Sequence, residues 1–180
     1  LFHKSRPSLP LIIPSNSVGI APFARYMNKT YPIEKMERVV ALLDSKSINV
    51  FLFGSKGHEA NIMHQWEERY PHCKSLAGTY SIENELAIMS SLRVMVAMDS
   101  ANQHLAAICG TRVITIWGAT TPACGFIGYG QQKQDSVCLG KECQPCSIAG
   151  SNICKEGTMS CLNDIQPNDI VTKIEHIINK

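Results

Sequence analysis

The stretch at residues 93–122 constrains the fold most, because it contains two buried strands joined by one short helix. Its first part, Val94–Met98, is an unbroken apolar run, which is typical of a parallel strand covered on both faces. Asp99 and Ser100 end this run with residues that favour a helix N-cap. The composition of Ala101–Cys109 then predicts a helix.

The second strand of this stretch is predicted at Val113–Trp117, which is apolar and rich in β-branched residues. It leads into Gly118–Thr121, a turn of small and hydroxyl residues. Two successive strand ends should therefore lie at one edge of a parallel sheet. Open α/β sheets bind ligands at that edge, where helix N-termini also meet.

Alternating strand and helix patterns flank this stretch on both sides. Further strands are predicted at Val18–Pro22, at Asn49–Phe53, near Cys73–Gly78 and, briefly, near Val137. Helices are predicted after Pro32, over Glu59–Arg69, after Ser81 and from Pro167 onward. The helix after Ser81 should turn Ile82, Leu86 and Met89 inward. The alternation indicates an α/β fold, a Rossmann-like parallel sheet with flanking helices.

Composition bounds the class of protein. Of 180 residues, 44% are hydrophobic and 18% are charged, so the chain has the apolar content that a packed core needs. The net charge of +2 is too small to indicate nucleic acid as the main partner. No apolar run has the length of a membrane span, and no signal-peptide pattern is present. A reducing, cytoplasmic compartment is therefore expected.

The turn that begins at Asp99 is the first candidate site. Backbone N–H groups, Ser100 and His104 would suit a phosphate at the helix N-terminus, and Asp99 would suit a sugar hydroxyl. An ordinary N-cap with a helical histidine nearby explains the same residues equally well.

Other strand ends carry further candidates. Lys29 and Arg25 follow the first strand, where they would reach an anion at the sheet edge or stay solvated. Glu59 follows the Gly54–Gly57 turn, where it would bind ribose hydroxyls or favour the helix dipole. The turn itself has neither a dinucleotide fingerprint nor a Walker sequence.

Five of the eight cysteines lie in a loop at residues 138–161, which we call the cysteine loop, and the last four of them are closely spaced. Cys143, Cys146, Cys154 and Cys161 have the spacing C-x2-C-x7-C-x6-C. This spacing is compatible with a structural zinc ion, with free thiols that pack the loop, or with disulfides. No open metal position is implied, so we expect the cluster to stabilise the protein and not to catalyse.

Several motifs occur together, in order, over nearly the whole chain. They are Val18-Gly19-Ile20-Ala21-Pro22 with Lys29 and Tyr31-Pro32, Phe53-Gly54-Ser55-Lys56-Gly57-His58-Glu59, Met98 to Ala106, Trp117-Gly118-Ala119-Thr120-Thr121-Pro122, and Cys143-Gln144-Pro145-Cys146 with the later cysteines. Together they resemble the C-terminal, donor-binding domain of the lipopolysaccharide heptosyltransferases, glycosyltransferase family nine. Thr121 departs from this resemblance, because the closest branch is expected to have histidine there.

The resemblance implies one half of a GT-B glycosyltransferase. Residues 1–16 would be an interdomain lead-in and residues 17–180 the nucleotide-sugar donor domain, with the N-terminal acceptor domain absent. It implies contact of Lys29 with the diphosphate, of Glu59 with the ribose and of Asp99 with the donor heptose. Around the diphosphate it implies Ser100, Ala101 and His104. Gly118 and Thr120 complete the expected donor site.

The resemblance also implies the reaction. The donor would be ADP-heptose, transferred with inversion to a lipid-linked saccharide of the lipopolysaccharide core, without a required cofactor. The catalytic base would belong to the absent domain, so the fragment alone should bind donor without turnover. The full-length enzyme would be cytoplasmic, at the inner face of the cytoplasmic membrane. The alternatives are another GT-B sugar-nucleotide enzyme and a non-catalytic, zinc-stabilised binding module.

Overall fold

The computed structural model describes residue 9 and residues 11–180. Most of the expected lead-in at residues 1–16 therefore lies outside the described residues. Five parallel strands form one sheet in the order β3-β2-β1-β4-β5. They are β1 (Ser17–Ala21), β2 (Asn49–Leu52), β3 (Cys73–Ser75), β4 (Val94–Met98) and β5 (Val113–Ile116). The predicted α/β fold with a Rossmann-like parallel sheet is confirmed, and β2 and β5 each end one residue earlier than expected.

Six helices accompany the sheet. They are α1 (Ile33–Asp44), α2 (His58–Arg69), α3 (Ile82–Met89), α4 (Ala101–Ile108), α5 (Ser160–Asn163) and α6 (Pro167–Ile178). Short 3-10 turns lie at Met27–Lys29, Pro122–Cys124 and Lys133–Asp135. None of the helices in the described part of the chain is both long and apolar enough to cross a bilayer.

The sheet is covered on both faces, as its apolar strands predict. Alternate residues of β4 belong to two separate apolar clusters, one holding Val96 and the other Met95. The first cluster contains the buried faces of α1, α2 and α6, and the second contains those of α3 and α4. Central strands buried on both sides leave only their ends accessible, so the carboxyl edge is where ligands can approach.

Helix α3 shows one departure from the predicted packing. Its N-cap is as expected, since the Asn84 amide donates to Ser81 Oγ at 3.4 Å. Its buried residues, however, are Ala87, Ile88 and Met89, whereas Ile82 is 48% exposed. The prediction that Ile82 faces inward was wrong because the first turn of this short helix reaches past the core to the groove described below.

The strand predicted near Val137 is a single bridge beside β5. The Val137 amide donates to Thr115 O at 2.8 Å, and the Trp117 amide donates to Val137 O at 2.9 Å. This bridge pairs Val137 with Ile116 in parallel and leads the chain from the sheet edge into the cysteine loop.

Candidate functional site

A groove of about 690 Å³ lies at the carboxyl edge of the sheet, beside the ends of β1, β2 and β4. Its lining brings together five of the eight predicted donor-binding residues, which are Lys29, Glu59, Asp99, Ser100 and Ala101. Arg25 and Ile82 also line it. Residues that are far apart in sequence thus meet at one edge because parallel strands end there together.

Asp99 is the most heavily bonded group of the groove. Its Oδ2 lies 2.7 Å from Lys29 Nζ and accepts a hydrogen bond from Thr120 Oγ1 at 2.6 Å. The side chains of Lys29 and Asp99 are only 11% and 6% exposed. Lys29 is therefore not a solvated loop charge, because it is held by a carboxylate largely out of water.

Gln103 supports the other oxygen of this carboxylate. The side chain of Gln103 is fully buried, and its Nε2 donates to Asp99 Oδ1 at 3.1 Å. Its Oε1 accepts from Thr115 Oγ1 at 3.0 Å, which links Asp99 to strand β5. Sequence reasoning missed Gln103, although its position four residues after Asp99 is the helical spacing at which such pairs meet.

Ser100 occupies the N-cap position of α4 with extended backbone, at φ −148° and ψ 174°. The expected capping hydrogen bond is not formed. Among the described residues, its buried Oγ has no hydrogen-bond partner. The hydroxyl and the first amides of α4 are therefore available to a ligand oxygen, and the positive end of the helix favours an anion there.

Glu59 closes the turn after β2. Its Oε2 accepts a hydrogen bond from the Ser55 amide at 2.8 Å, next to the first turn of α2. Glu59 is thus bonded to the turn before α2 and also lines the groove, and its contact with a ribose stays a prediction.

Three predicted donor-binding residues lie outside the groove lining. His104 is exposed on α4, and Thr120 is buried and acts through Asp99. Gly118 is buried where an added Cβ would lie 2.2 Å from Asn28 O. The glycine is thus needed for a close approach between the end of β5 and the turn that carries Lys29.

The clustered cysteines line a second cavity, of about 320 Å³, which we call the cysteine cavity. Burial, together with the nearby Cys143, Cys146 and Cys154, raises the pKa of Cys161 to about 11. All eight cysteines are free thiols in this structure. Four thiols suit zinc as a donor set. Within residue 9 and residues 11–180, however, no three His, Cys, Asp or Glu side chains are close enough together to hold an ion.

The fold and the groove define a class, the doubly wound α/β domains that bind ligands at their strand ends. The sequence narrows this class. The family model of glycosyltransferase family 9 (heptosyltransferase) matches residues 3–155. The chain therefore belongs to glycosyltransferase family 9, and the resemblance seen in its motifs is confirmed. No curated protein matches the chain closely enough to count as a relative.

Solved structures share this fold. E. coli ADP-heptose lipopolysaccharide heptosyltransferase II has a TM-score of 0.71 at 18% identity, covering 91% of this chain and 46% of its own. E. coli heptosyltransferase WaaC with ADP has a TM-score of 0.65 at 19% identity, covering 89% and 44%. TibC from enterotoxigenic E. coli, described as an iron-containing dodecameric glycosyltransferase, has a TM-score of 0.70 at 15% identity, covering 96% and 49%. The chain thus spans about half the length of these proteins.

Proposed function

We propose that this chain is the donor-binding half of an inverting glycosyltransferase that transfers heptose from ADP-heptose to a lipopolysaccharide core acceptor. The observation that carries the proposal is the groove, whose lining joins Lys29, the N-terminus of α4 and the carboxylates of Glu59 and Asp99 in a family 9 chain. The heptosyltransferases of similar fold, one of them solved with ADP, support the same donor class.

The diphosphate of the donor would lie between Lys29 and the start of α4. The amides at Ser100 and Ala101 would supply positive potential on the groove wall, and the ammonium of Lys29, although paired with Asp99, would also donate to a phosphate oxygen. The unpartnered hydroxyl of Ser100 adds a donor for a phosphate oxygen. These groups would stabilise the departing diphosphate, where negative charge develops during transfer, without a required metal cofactor.

Two of the carboxylates in the groove lining, Glu59 and Asp99, would hold the sugars. A carboxylate oxygen accepts more than one hydrogen bond, so Glu59 can bind the ribose while it accepts from Ser55. Asp99 Oδ1 accepts only from Gln103 among the described residues, which leaves capacity for a heptose hydroxyl. Thr120 contributes through Asp99, and His104 and Gly118 are assigned no direct donor contact.

The remaining parts of the reaction belong to the proposed full-length enzyme. The base that activates the acceptor hydroxyl would lie in a separate acceptor-binding half, so this chain alone would bind donor without turnover. The acceptor would be a lipid-linked saccharide, reached from the cytoplasm at the inner face of the membrane. The proposal includes no nucleic-acid partner.

Isothermal titration with ADP, UDP and GDP tests the proposal. We expect selective binding of ADP, weakened on the order of tenfold in Lys29→Ala and in Glu59→Ala, because each variant removes one charged ligand contact. Lys74→Ala and Glu68→Ala are matched controls, since both side chains are exposed outside the groove lining. These controls should bind ADP as the wild type does.

The other outcomes separate the alternatives. Preference for UDP or GDP would keep the fold and indicate another GT-B sugar-nucleotide enzyme. If a folded sample binds none of the three, the titration is repeated with the full-length protein. Failure there as well would contradict the proposed donor site.

A structural metal is the second candidate, favoured by the four thiols that line the cysteine cavity. To hold zinc, the loop would have to bring the thiolates within about 2.3 Å of one ion. Metal analysis should include iron, since TibC is described as iron-containing. One equivalent of metal, lost in Cys146→Ser combined with Cys154→Ser, would support this candidate. One equivalent together with no nucleotide affinity would favour the non-catalytic binding module.

A further inference from the structure

The turn that carries Lys29 has few contacts of its own that could fix its position. Residues 27–29 form a single 3-10 turn, and its N-cap residue Tyr26 makes no side-chain cap. Within the turn, the Lys29 amide donates to Tyr26 O and the Thr30 amide to Met27 O, both at 3.0 Å. A segment this short depends on outside contacts for a fixed position.

Asn28 supplies those contacts from the middle of the turn. Its side chain is almost fully buried, with 3% of the residue exposed. Its Oδ1 accepts from the Ser151 amide at 2.8 Å, and its Nδ2 donates to Ser151 Oγ at 3.0 Å. Its own amide donates to Ser151 O at 3.3 Å. The turn is thus paired with the cysteine loop through both backbone and side chain.

Two more contacts bring the same loop against Lys29. The Met27 amide donates to Asn152 Oδ1 at 3.1 Å. Gly150, at φ +96°, lies so close to the turn that an added Cβ would be 2.9 Å from Lys29 Cδ. The loop backbone therefore packs directly on the aliphatic stem of Lys29.

The loop is itself fixed to the end of strand β5 by Ala119. Ala119 O accepts from the amides of Cys146 and Ser147, at 2.9 and 3.2 Å. The Ala119 amide in turn donates to Asn28 O at 2.8 Å. Asn28 lines the cysteine cavity, whereas its neighbour Lys29 lines the strand-end groove.

We propose that the cysteine loop is a working part of the donor site, with Asn28 as the positioning residue that aims Lys29 at the donor diphosphate. This inference rests on the proposed function. Asn28 does not itself line the groove, so its effect on the donor would pass through the turn that carries Lys29. Its removal should weaken binding of the diphosphate and leave binding of the nucleoside unchanged.

The test compares ADP, by isothermal titration, with adenosine, by NMR titration, on four proteins. They are the wild type, Asn28→Ala, Lys29→Ala and the double variant. Asn28→Ala should weaken ADP binding on the order of tenfold, the scale of one charge-assisted hydrogen bond, with adenosine affinity unchanged. In the Lys29→Ala background, Asn28→Ala should have no further effect, because coupled residues are not additive.

Thr111→Val is the control for general destabilisation. It removes a buried hydrogen bond from Thr111 Oγ1 to Met89 O, on residues that do not line the groove, and should leave ADP affinity unchanged. Ser151→Ala removes only the side-chain contact with Asn28 and keeps the Ser151 backbone bonds to it. This milder variant replaces Asn28→Ala in the test if Asn28→Ala does not fold.

The outcomes separate this inference from the function beneath it. No ADP binding by the wild type, both in this chain and in the full-length protein, would overturn both. ADP binding that depends on Lys29 but not on Asn28 would overturn only the positioning role. Equal losses of ADP and adenosine, or additive losses in the double variant, would also overturn it, because a general structural effect would then explain them.

Discussion

Lys29 Nζ lies 2.7 Å from Asp99 Oδ2, and both side chains are almost entirely out of water. The pair is neutral as a unit, so it holds the lysine at the groove without a free charge before any ligand arrives. A diphosphate that binds there must compete with the Asp99 carboxylate for the ammonium and is also repelled by that carboxylate. In the proposed donor site, the nucleoside and the sugar would therefore have to contribute to binding beside the diphosphate.

Asp99→Asn should tighten ADP binding several-fold, because it removes the competing and repelling negative charge while keeping the side-chain shape. The same change should lower the free energy of unfolding by about 1–3 kcal/mol, since Lys29 is left in the groove wall without its carboxylate. Isothermal titration with ADP and urea unfolding measure the two effects.

Asp164→Asn is the control for this change. Asp164 pairs with Lys141 at 2.7 Å on the exposed surface, where removing one charge should affect neither quantity by much. If ADP binds Asp99→Asn more weakly than the wild type, Asp99 does not compete with the diphosphate for Lys29.

The sheet and its helices were predictable because their signals are local. The apolar runs at Val94–Met98 and Val113–Ile116 need no knowledge of the rest of the chain. Strand ends in a parallel sheet share one edge, so Lys29, Glu59 and Asp99 were expected to lie near one another, and they do. The Lys29–Asp99 pair itself would have required the strand order, in which β1 and β4 are neighbours.

What sequence reasoning missed depends on contacts between distant residues. Asn28 meets Ser151 across 123 positions, and no local pattern marks either residue as a partner. Ser100 has the composition of an N-cap yet makes no capping bond. Ile82 has the helical spacing of a core residue but lines the groove, because the first turn of α3 extends beyond the core that the last turn contacts.

Gln103→Leu should lower the free energy of unfolding by about 1–3 kcal/mol, because it leaves Thr115 Oγ1 and Asp99 Oδ1 without their buried partner. Thr115→Val removes only the hydroxyl at one end of this hydrogen-bonded chain, so it should lower the free energy of unfolding by less than Gln103→Leu does. The double variant should lose less than the sum of the two single losses, since the second change removes a group that the first has orphaned. Urea unfolding of the four proteins measures this coupling, and strict additivity would contradict the hydrogen-bonded chain.

Gly118→Ala should weaken ADP binding as well as lower stability. The added Cβ would lie 2.2 Å from Asn28 O, so the turn that carries Lys29 must shift. Gly110→Ala is the matched control, because Gly110 has φ +81° and open space around its Cβ position. It should cost about 1 kcal/mol through backbone strain and leave ADP affinity unchanged. Equal ADP affinities in Gly118→Ala and Gly110→Ala would contradict this prediction, because a shift of the turn that carries Lys29 would then not affect ADP binding.

Cys73 predicts how stability changes at alkaline pH. Burial in β3, followed by the charges of Glu67 and Asp44, raises the pKa of its thiol from 9.0 to about 12. Below about pH 9 the thiol is protonated in both states, so its contribution to stability is complete. As the pH rises above this value, the unfolded chain releases the proton while the folded chain retains it.

This difference should reduce the free energy of unfolding by up to about 1.4 kcal/mol per pH unit between the two pKa values. Cys73→Ala should be less stable than the wild type near neutral pH but lose less stability between about pH 9 and 10.5. The control variant Thr111→Val should lower the free energy of unfolding without changing how it depends on pH. Urea unfolding across this range measures all three proteins, and parallel curves for the wild type and Cys73→Ala would show that the thiol is not shielded by burial.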